Sequence, residues 1–273
     1  MTTRRSNSTD EQLPHHAPPP WSTRNEAYWL PLWLSKPLPA GIYDPLEGVY
    51  PACTTSGFKG GLGMIQIVRY TGTPCGSYNE LLLIPGNFEV QGGSQKGKSR
   101  MRIARIYVSQ PETIYNGRRN WNIPKHEARF EFSAPPTSKS GSPPRELTVS
   151  VYPPRLIESH TETELPFFRV TLTPMRYLPA FPYSTTWTAA VLNSTFVQPP
   201  IPAGDDGFLC GTETWKTFEA VAATRKARLM WVKTAEADNV GREGHWPDVK
   251  PWPVGLWLED ATLDIPVPEE SNH

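Results

Sequence analysis

Four stretches of the chain hold residue types and spacings that chemistry could use. Gly92-Gly93-Ser94-Gln95-Lys96-Gly97-Lys98-Ser99 satisfies G-x-x-x-x-G-K-S, the phosphate-cradling loop. That loop works between a strand and a helix whose N-terminal amides face the phosphates. Here it runs into residues 100–108, where apolar and charged residues alternate, so a hairpin turn is expected instead. Gly60-Gly61-Leu62-Gly63 precedes a strand pattern and does not follow one, which excludes a dinucleotide fingerprint. The histidines, His15, His16, His126, His160, His245 and His273, form no HExxH or His/Cys cluster, and His245 with Asp248 makes two ligands at most. There is no GxSxG nucleophile elbow. Neither a metal nor a cofactor is expected.

The fourth stretch is Ile114-Tyr115-Asn116-Gly117-Arg118-Arg119-Asn120-Trp121-Asn122-Ile123-Pro124-Lys125-His126, preceded at a distance by Tyr78-Asn79-Glu80. Gly-Arg, a short variable run and Pro-Lys, with Tyr-x-Glu upstream, resemble the core signature of the acetoacetate decarboxylase superfamily. The resemblance is carried by residues 60–132, and the rest of the chain adds only β character. It implies that Lys125 attacks a ketone to give an imine, from which a β-keto acid loses carbon dioxide. It also implies a catalytic Glu80 that orients substrate or passes a proton. Such an amine must be free of its proton, and an ordinary lysine has a pKa of about 10.4. Burial and a neighbouring cation would lower it, as in acetoacetate decarboxylase itself. Arg118, Arg119, His126 and Arg129 are the sequence neighbours that could supply the charge, and Tyr78 could line the pocket.

The chain departs from the family pattern in four places. His126 stands where a second lysine is usual, and Arg119 replaces an acidic residue. Gln66 is the nearest counterpart of a second active-site glutamate. No arginine can be placed as the one that holds a substrate carboxylate. A non-decarboxylating Schiff-base aldolase, dehydratase or cyclase is therefore the alternative, with a non-catalytic β-barrel that binds an apolar small molecule as the other. Without the resemblance, Lys125 reads as a solvated strand end. Alternation back from Phe132 through Phe130 and Ala128 puts His126 on the apolar face and Lys125 on the charged one, unless Pro124 or a bulge resets the register.

The elements that must position these residues are short strands. The 273 residues include 31 prolines, about twice the roughly 5% usual, together with 10 Trp, 10 Tyr and 10 Phe. Proline at this density opposes long helices and central strand positions. Strands are expected at 64–70, 78–84, 102–108, 129–132, 146–152, 167–172, 187–196, 218–221, 226–232 and 256–263. A short helix is expected over 112–118, and the aromatic stretch 24–34 reads as a helical turn or cap over the core. The fold expected is mainly β (α+β with few helices), a curled or closed antiparallel β-barrel of the acetoacetate decarboxylase type. It would occupy residues 23–268 as a single domain, between a disordered tail at 1–22 and a C-terminal tail at 269–273.

Charge and cysteines narrow the partners. With 27 basic and 27 acidic residues the formal net charge is +0, which removes the electrostatic case for nucleic acid or an anionic membrane. Cys53, Cys75 and Cys210 make no disulfide framework, and no apolar stretch spans a bilayer. The expected partner is a small-molecule keto substrate in a cytoplasmic enzyme, with homo-oligomerisation left open.

Overall fold

The structure is a computed structural model that describes residues 14–55, 57–154, 165–188, 194–235 and 246–272. In chain order these form β1 (Trp21–Leu34), α1 (Pro45–Gly48), α2 (Pro51–Thr54), β2 (Phe58–Gly72), β3 (Tyr78–Ile84), β4 (Asn87–Glu89), β5 (Ser99–Met101), β6 (Arg105–Val108), α3 (Pro111–Trp121), β7 (Lys125–Glu127) and β8 (Arg129–Phe132). There follow α4 (Thr137–Ser140), β9 (Leu147–Tyr152), β10 (Phe168–Pro174), β11 (Phe181–Ser184), α5 (Thr185–Thr188), β12 (Thr195–Gln198), β13 (Trp215–Glu219), β14 (Val221–Thr234), β15 (Val254–Ile265) and β16 (Glu269–Ser271).

Among the described residues the sixteen strands join in one curled sheet, ordered β16-β13-β12-β5-β4-β2-β1-β15-β14-β10-β9-β8. A branch from β2 adds β3, β6 and β7, and β11 lies on β14. The mainly β fold stands, but the two ends of the path do not pair, so the barrel is not closed. The sheet is also mixed: β6 runs parallel to β7, and β5 to β12. The first of these parallel pairs needs a crossover, and α3 is that crossover, since parallel neighbours cannot be joined by a tight hairpin.

Alternation gives β1, β2 and β3 two buried faces. Tyr28, Leu30, Ile65, Ile67, Leu81 and Leu83 pack into one core, while Trp29, Val68, Leu82 and Ile106 face another. Along β3 the second face carries Tyr78, Glu80 and Leu82 in turn, because successive side chains alternate. Among the described residues, three free cysteines form no disulfide. No described helix is long and apolar enough to cross a membrane.

Several local expectations are corrected. Residues 24–34 are not a helical cap but part of β1, paired with β2 on one side and β15 on the other. Pro31 is tolerated because the pairing with β15 stops at Trp29, so its missing N–H costs no bond on that edge. The expected strand 102–108 is split. Ile103 leaves the sheet to bond the side chain of Gln198, and the chain moves from β5, beside β4, to β6, beside β3. Within 187–196, residues 185–188 make a helical turn, 195–198 make β12, and 189–193 lie outside the described residues.

Of the tail expected at 1–22, the part from residue 14 is packed. Ala17 is buried and exchanges bonds of 2.8 Å with the Asn116 and Asn120 side chains of α3, and His16 meets Asn120 at 3.0 Å. Composition alone does not register two asparagines, one turn apart, that satisfy this backbone. The C-terminal tail is likewise held, since 269–271 pair with β13. The Gly92–Ser99 loop is the hairpin turn between β4 and β5.

Candidate active site

The crossover fixes Lys125. Pro111 opens α3 where no N–H is needed, and Glu112 and Arg118 complement its dipole. Asn122 ends the helix in the left-handed region (φ 55°), which asparagine tolerates better than most residues. Its side-chain amide donates to the carbonyls of Pro199 and Thr214, at 2.9 and 2.7 Å. Ile123 N–H then bonds Gly117 C=O, turning the chain so that Lys125 enters β7 opposite Ile106.

Gly117 permits the lysine's path. A Cβ there would stand 2.6 Å from Lys125 Cδ and 2.7 Å from Cε, closer than real contacts allow. The Lys125 stem therefore lies against the bare helix backbone. The face expected from alternation is wrong, because 125–132 is not one strand. β7 pairs with β6 and β8 with β9, with Ala128 between them, and Lys125 is 4% exposed.

At its end, Lys125 Nζ donates to Glu80 Oε2 at 2.8 Å, Thr113 Oγ1 at 3.0 Å and Tyr78 OH at 3.3 Å. Tyr70 OH donates to the other Glu80 oxygen at 3.1 Å. The hairpin register sets Tyr70 opposite Tyr78 and Val68 opposite Glu80, which brings Tyr70 to the carboxylate and Tyr78 to the Lys125 ammonium. Burial pushes the Lys125 ammonium toward losing its proton, but the Glu80 carboxylate and Tyr78 outweigh it, and the pKa lies above the ordinary lysine value. Burial raises the Tyr78 phenol to about 12 despite the pull of Lys125, and raises Tyr70 too, so both remain neutral.

This group lines a cavity of about 120 Å³. Its walls are aromatic and aliphatic, with Trp21, Trp29, Trp121, Phe196, Phe218 and Ile265 among them. Gln66 also lines it, with its amide N–H set on the Met64 thioether at 3.2 Å, a weak acceptor. Tyr78, Glu80, Gln66 and Lys125 are thus brought to one place.

Arg118 and His126 are not. His126 follows Lys125 in the strand and so points to the opposite face, where Nε2 meets Glu47 Oε2 at 2.7 Å. Arg118 Nη1 pairs with Glu47 Oε1 at 2.8 Å, and its other nitrogens donate to the carbonyls of Pro202 and Cys210. Arg119 turns to Tyr115, and Arg129 lies over Tyr152. None of the four sequence-neighbour cations contacts the Lys125 ammonium, and its pKa is raised rather than lowered. Asp44, Glu47 and His126 bring ligand atoms within 4.8 Å of one another. Arg118 and Arg105 already pair with these carboxylates, so the cluster is a charge network. His245 lies outside the described residues.

Sequence reasoning missed Tyr70, Thr113, Gly117 and Glu47. Tyr70 was readable from the hairpin register, and Thr113 from its place one helical turn before Gly117 on the same face. Glu47, in a four-residue helix far along the chain, gave no signal.

No family model matches the chain, and no curated protein does. Solved structures do. The acetoacetate decarboxylase of Legionella pneumophila is 11% identical, with a TM-score of 0.59 over 97% of this chain and 92% of that one. An acetoacetate decarboxylase-like enzyme from Sphingomonas wittichii RW1 is 14% identical, with a TM-score of 0.54 over 92% of each chain. The enduracididine biosynthesis enzyme MppR, complexed with the condensation product of pyruvate and imidazole 4-carboxaldehyde, is 13% identical. Its TM-score is 0.54, over 93% of this chain and 90% of that one. The chain has the acetoacetate decarboxylase fold.

Proposed function

We propose that the protein is an enzyme that forms an imine between Lys125 and a small carbonyl compound. The observation that carries this reading is the buried Lys125–Glu80 pair, 2.8 Å apart in the wall of a largely apolar cavity. The ammonium gives one proton to Glu80, and the freed lone pair attacks the carbonyl carbon; one of the two protons left on nitrogen passes to the former carbonyl oxygen, giving a neutral carbinolamine. The nitrogen lone pair then expels the hydroxyl as water, with the Glu80 acid returning its proton to that oxygen. The protonated imine keeps the single positive charge of the ammonium, so the Glu80 carboxylate pairs with both. In water-poor surroundings the separated charges lose part of their advantage over the neutral amine–acid pair, which favours this transfer. A raised lysine pKa in the resting protein is compatible with the reaction, since the proton stays within the pair.

From the iminium, Glu80 can take the proton on the adjacent carbon to leave an enamine. Carbon dioxide loss gives the same enamine from a β-keto acid. MppR, which shares the fold, is described in complex with pyruvate, a keto compound. The test is proton exchange: a ketone incubated with the protein in heavy water should lose its α-proton signals. Lys125→Ala and Glu80→Gln should each abolish that loss; exchange that persists in Lys125→Ala contradicts the reading.

One observation favours the alternative of a non-catalytic binder. All three ammonium protons of Lys125 have acceptors, and a saturated ammonium is no nucleophile. A binder would hold carbonyl compounds without exchanging their protons.

A further inference from the structure

Resting on that reading of Lys125, we infer the class of substrate: a neutral carbonyl compound with an apolar body about the size of one six-membered ring, carrying no free carboxylate. Two observations support it, one of size and one of charge. The cavity holds about 120 Å³, and an apolar cavity of about 150 Å³ takes up benzene. One ring or a short branched chain therefore fills it, with the carbonyl carbon at Lys125. Its aromatic walls, Trp21, Trp29, Trp121, Phe196 and Phe218, suit such a body.

The charge argument is sharper. Among the described residues that line the cavity, Lys125 and Glu80 are the charged ones, and they neutralise each other at 2.8 Å. A carboxylate entering beside them would be one unmatched negative charge, next to Glu80 and away from water. An unpaired buried charge is among the costliest features a protein can hold. Arg118 is spent on Glu47 and on the Pro202 and Cys210 carbonyls. The remaining polar lining includes Gln66, Thr23, Tyr70, Tyr78 and Tyr183, which can hydrogen-bond a carbonyl, hydroxyl or amide. With no carboxylate on the substrate, the chemistry open to the imine is α-proton removal, followed by carbon–carbon bond formation, cleavage or dehydration.

Matched pairs test this: methyl acetoacetate against acetoacetate, and benzaldehyde against 4-formylbenzoate. Each is incubated with the full chain and sodium borohydride, whose hydride adds to the iminium carbon and fixes it as a secondary amine. The Lys125 peptide is then weighed. The neutral member of each pair should label Lys125 at least about tenfold faster. Equal or faster labelling by the acid overturns the substrate class while leaving the imine intact.

A second arm separates the two readings. Lys125→Met/Glu80→Gln removes the charges together and cannot form an imine, and tryptophan quenching reports binding. Benzaldehyde should quench it at concentrations at least about tenfold lower than 4-formylbenzoate. Adduct-free wild type with this preference kept sinks the imine and upholds the class of ligand. Loss or reversal of the preference overturns the class whatever the adducts show.

Discussion

The two faces of β7 carry two buried ion-pair systems with opposite surroundings. On one face, Lys125 pairs with Glu80 beside a cavity of about 120 Å³. On the other, His126 and Arg118 share Glu47, and the space nearby is only about 10 Å³, room for about one water. Both are buried charges with good geometry. On the filled face Arg118 ties α3 to α1 and to the 202–210 loop carbonyls. On the open face the same kind of pair ends at space another molecule can enter. Burial of charge alone does not mark a site; burial of charge against an unfilled apolar volume does.

This contrast predicts that substitutions on the two faces separate activity from stability. The largest effect is expected from Lys125→Ala, which should abolish imine-dependent α-proton exchange. Arg118→Ala, on the filled face, should cost about 3–5 kcal/mol in a urea unfolding curve, because it leaves Glu47 with one cation fewer in a buried site. If Arg118→Ala leaves stability unchanged and kills exchange directly, the two faces are not distinct.

Gly117→Ala probes the boundary between them. Alanine gains roughly 1 kcal/mol over glycine in a helix, yet its Cβ would displace the Lys125 stem. The variant should unfold within about 1 kcal/mol of wild type while losing at least about tenfold in exchange rate, an estimate from one displaced reacting group. Smaller repacking of Lys125 with full activity would show that its path is not fixed by this glycine.

The pH dependences should also divide. Glu47 is held below the ordinary carboxylate pKa: burial raises it, and His126 and Arg118 more than reverse that. A lowered carboxylate contributes stability above the unfolded value of 4.5 that is lost as pH falls through the folded one. Glu47→Gln should therefore flatten the acid limb of stability against pH. Lys125 is raised, so its contribution is present below the unfolded value of 10.5 and is lost only as pH rises through the folded value. In Glu80→Gln the largest upward pull is gone and burial dominates, so Lys125 should titrate at lower pH than in wild type. Labelling of Lys125 by a lysine reagent across pH measures it, and an unshifted profile would deny the pairing.

Much of the open face was legible in the sequence, and little of the filled one. Tyr78, Glu80 and Lys125 lie in motifs whose spacing fits a strand, a crossover helix and a second strand. Arg118 and His126 turn to Glu47 instead of the Lys125 ammonium, because adjacency in sequence is not adjacency in space. Neighbours in a strand face opposite ways, and a helix-end arginine follows its own acceptors. The Lys125 face was misjudged by extending one alternation across Ala128, where the chain changes partners from β6 to β9. Reading β1 as a cap followed from its aromatic and proline content, since only the end of its pairing with β15 explains Pro31. Residues 14–22 differ from the expected tail for a similar reason: Asn116 and Asn120 satisfy the backbone at His15 and Ala17, which composition alone leaves unpartnered.

The most direct test of the central claim is to treat the full chain with benzaldehyde and borohydride and map every modified lysine by peptide mass spectrometry. The account predicts one dominant adduct on Lys125, absent from Lys125→Ala and sharply reduced in Gly117→Ala. Adducts spread evenly over exposed lysines, with Lys125 unmodified, would contradict it.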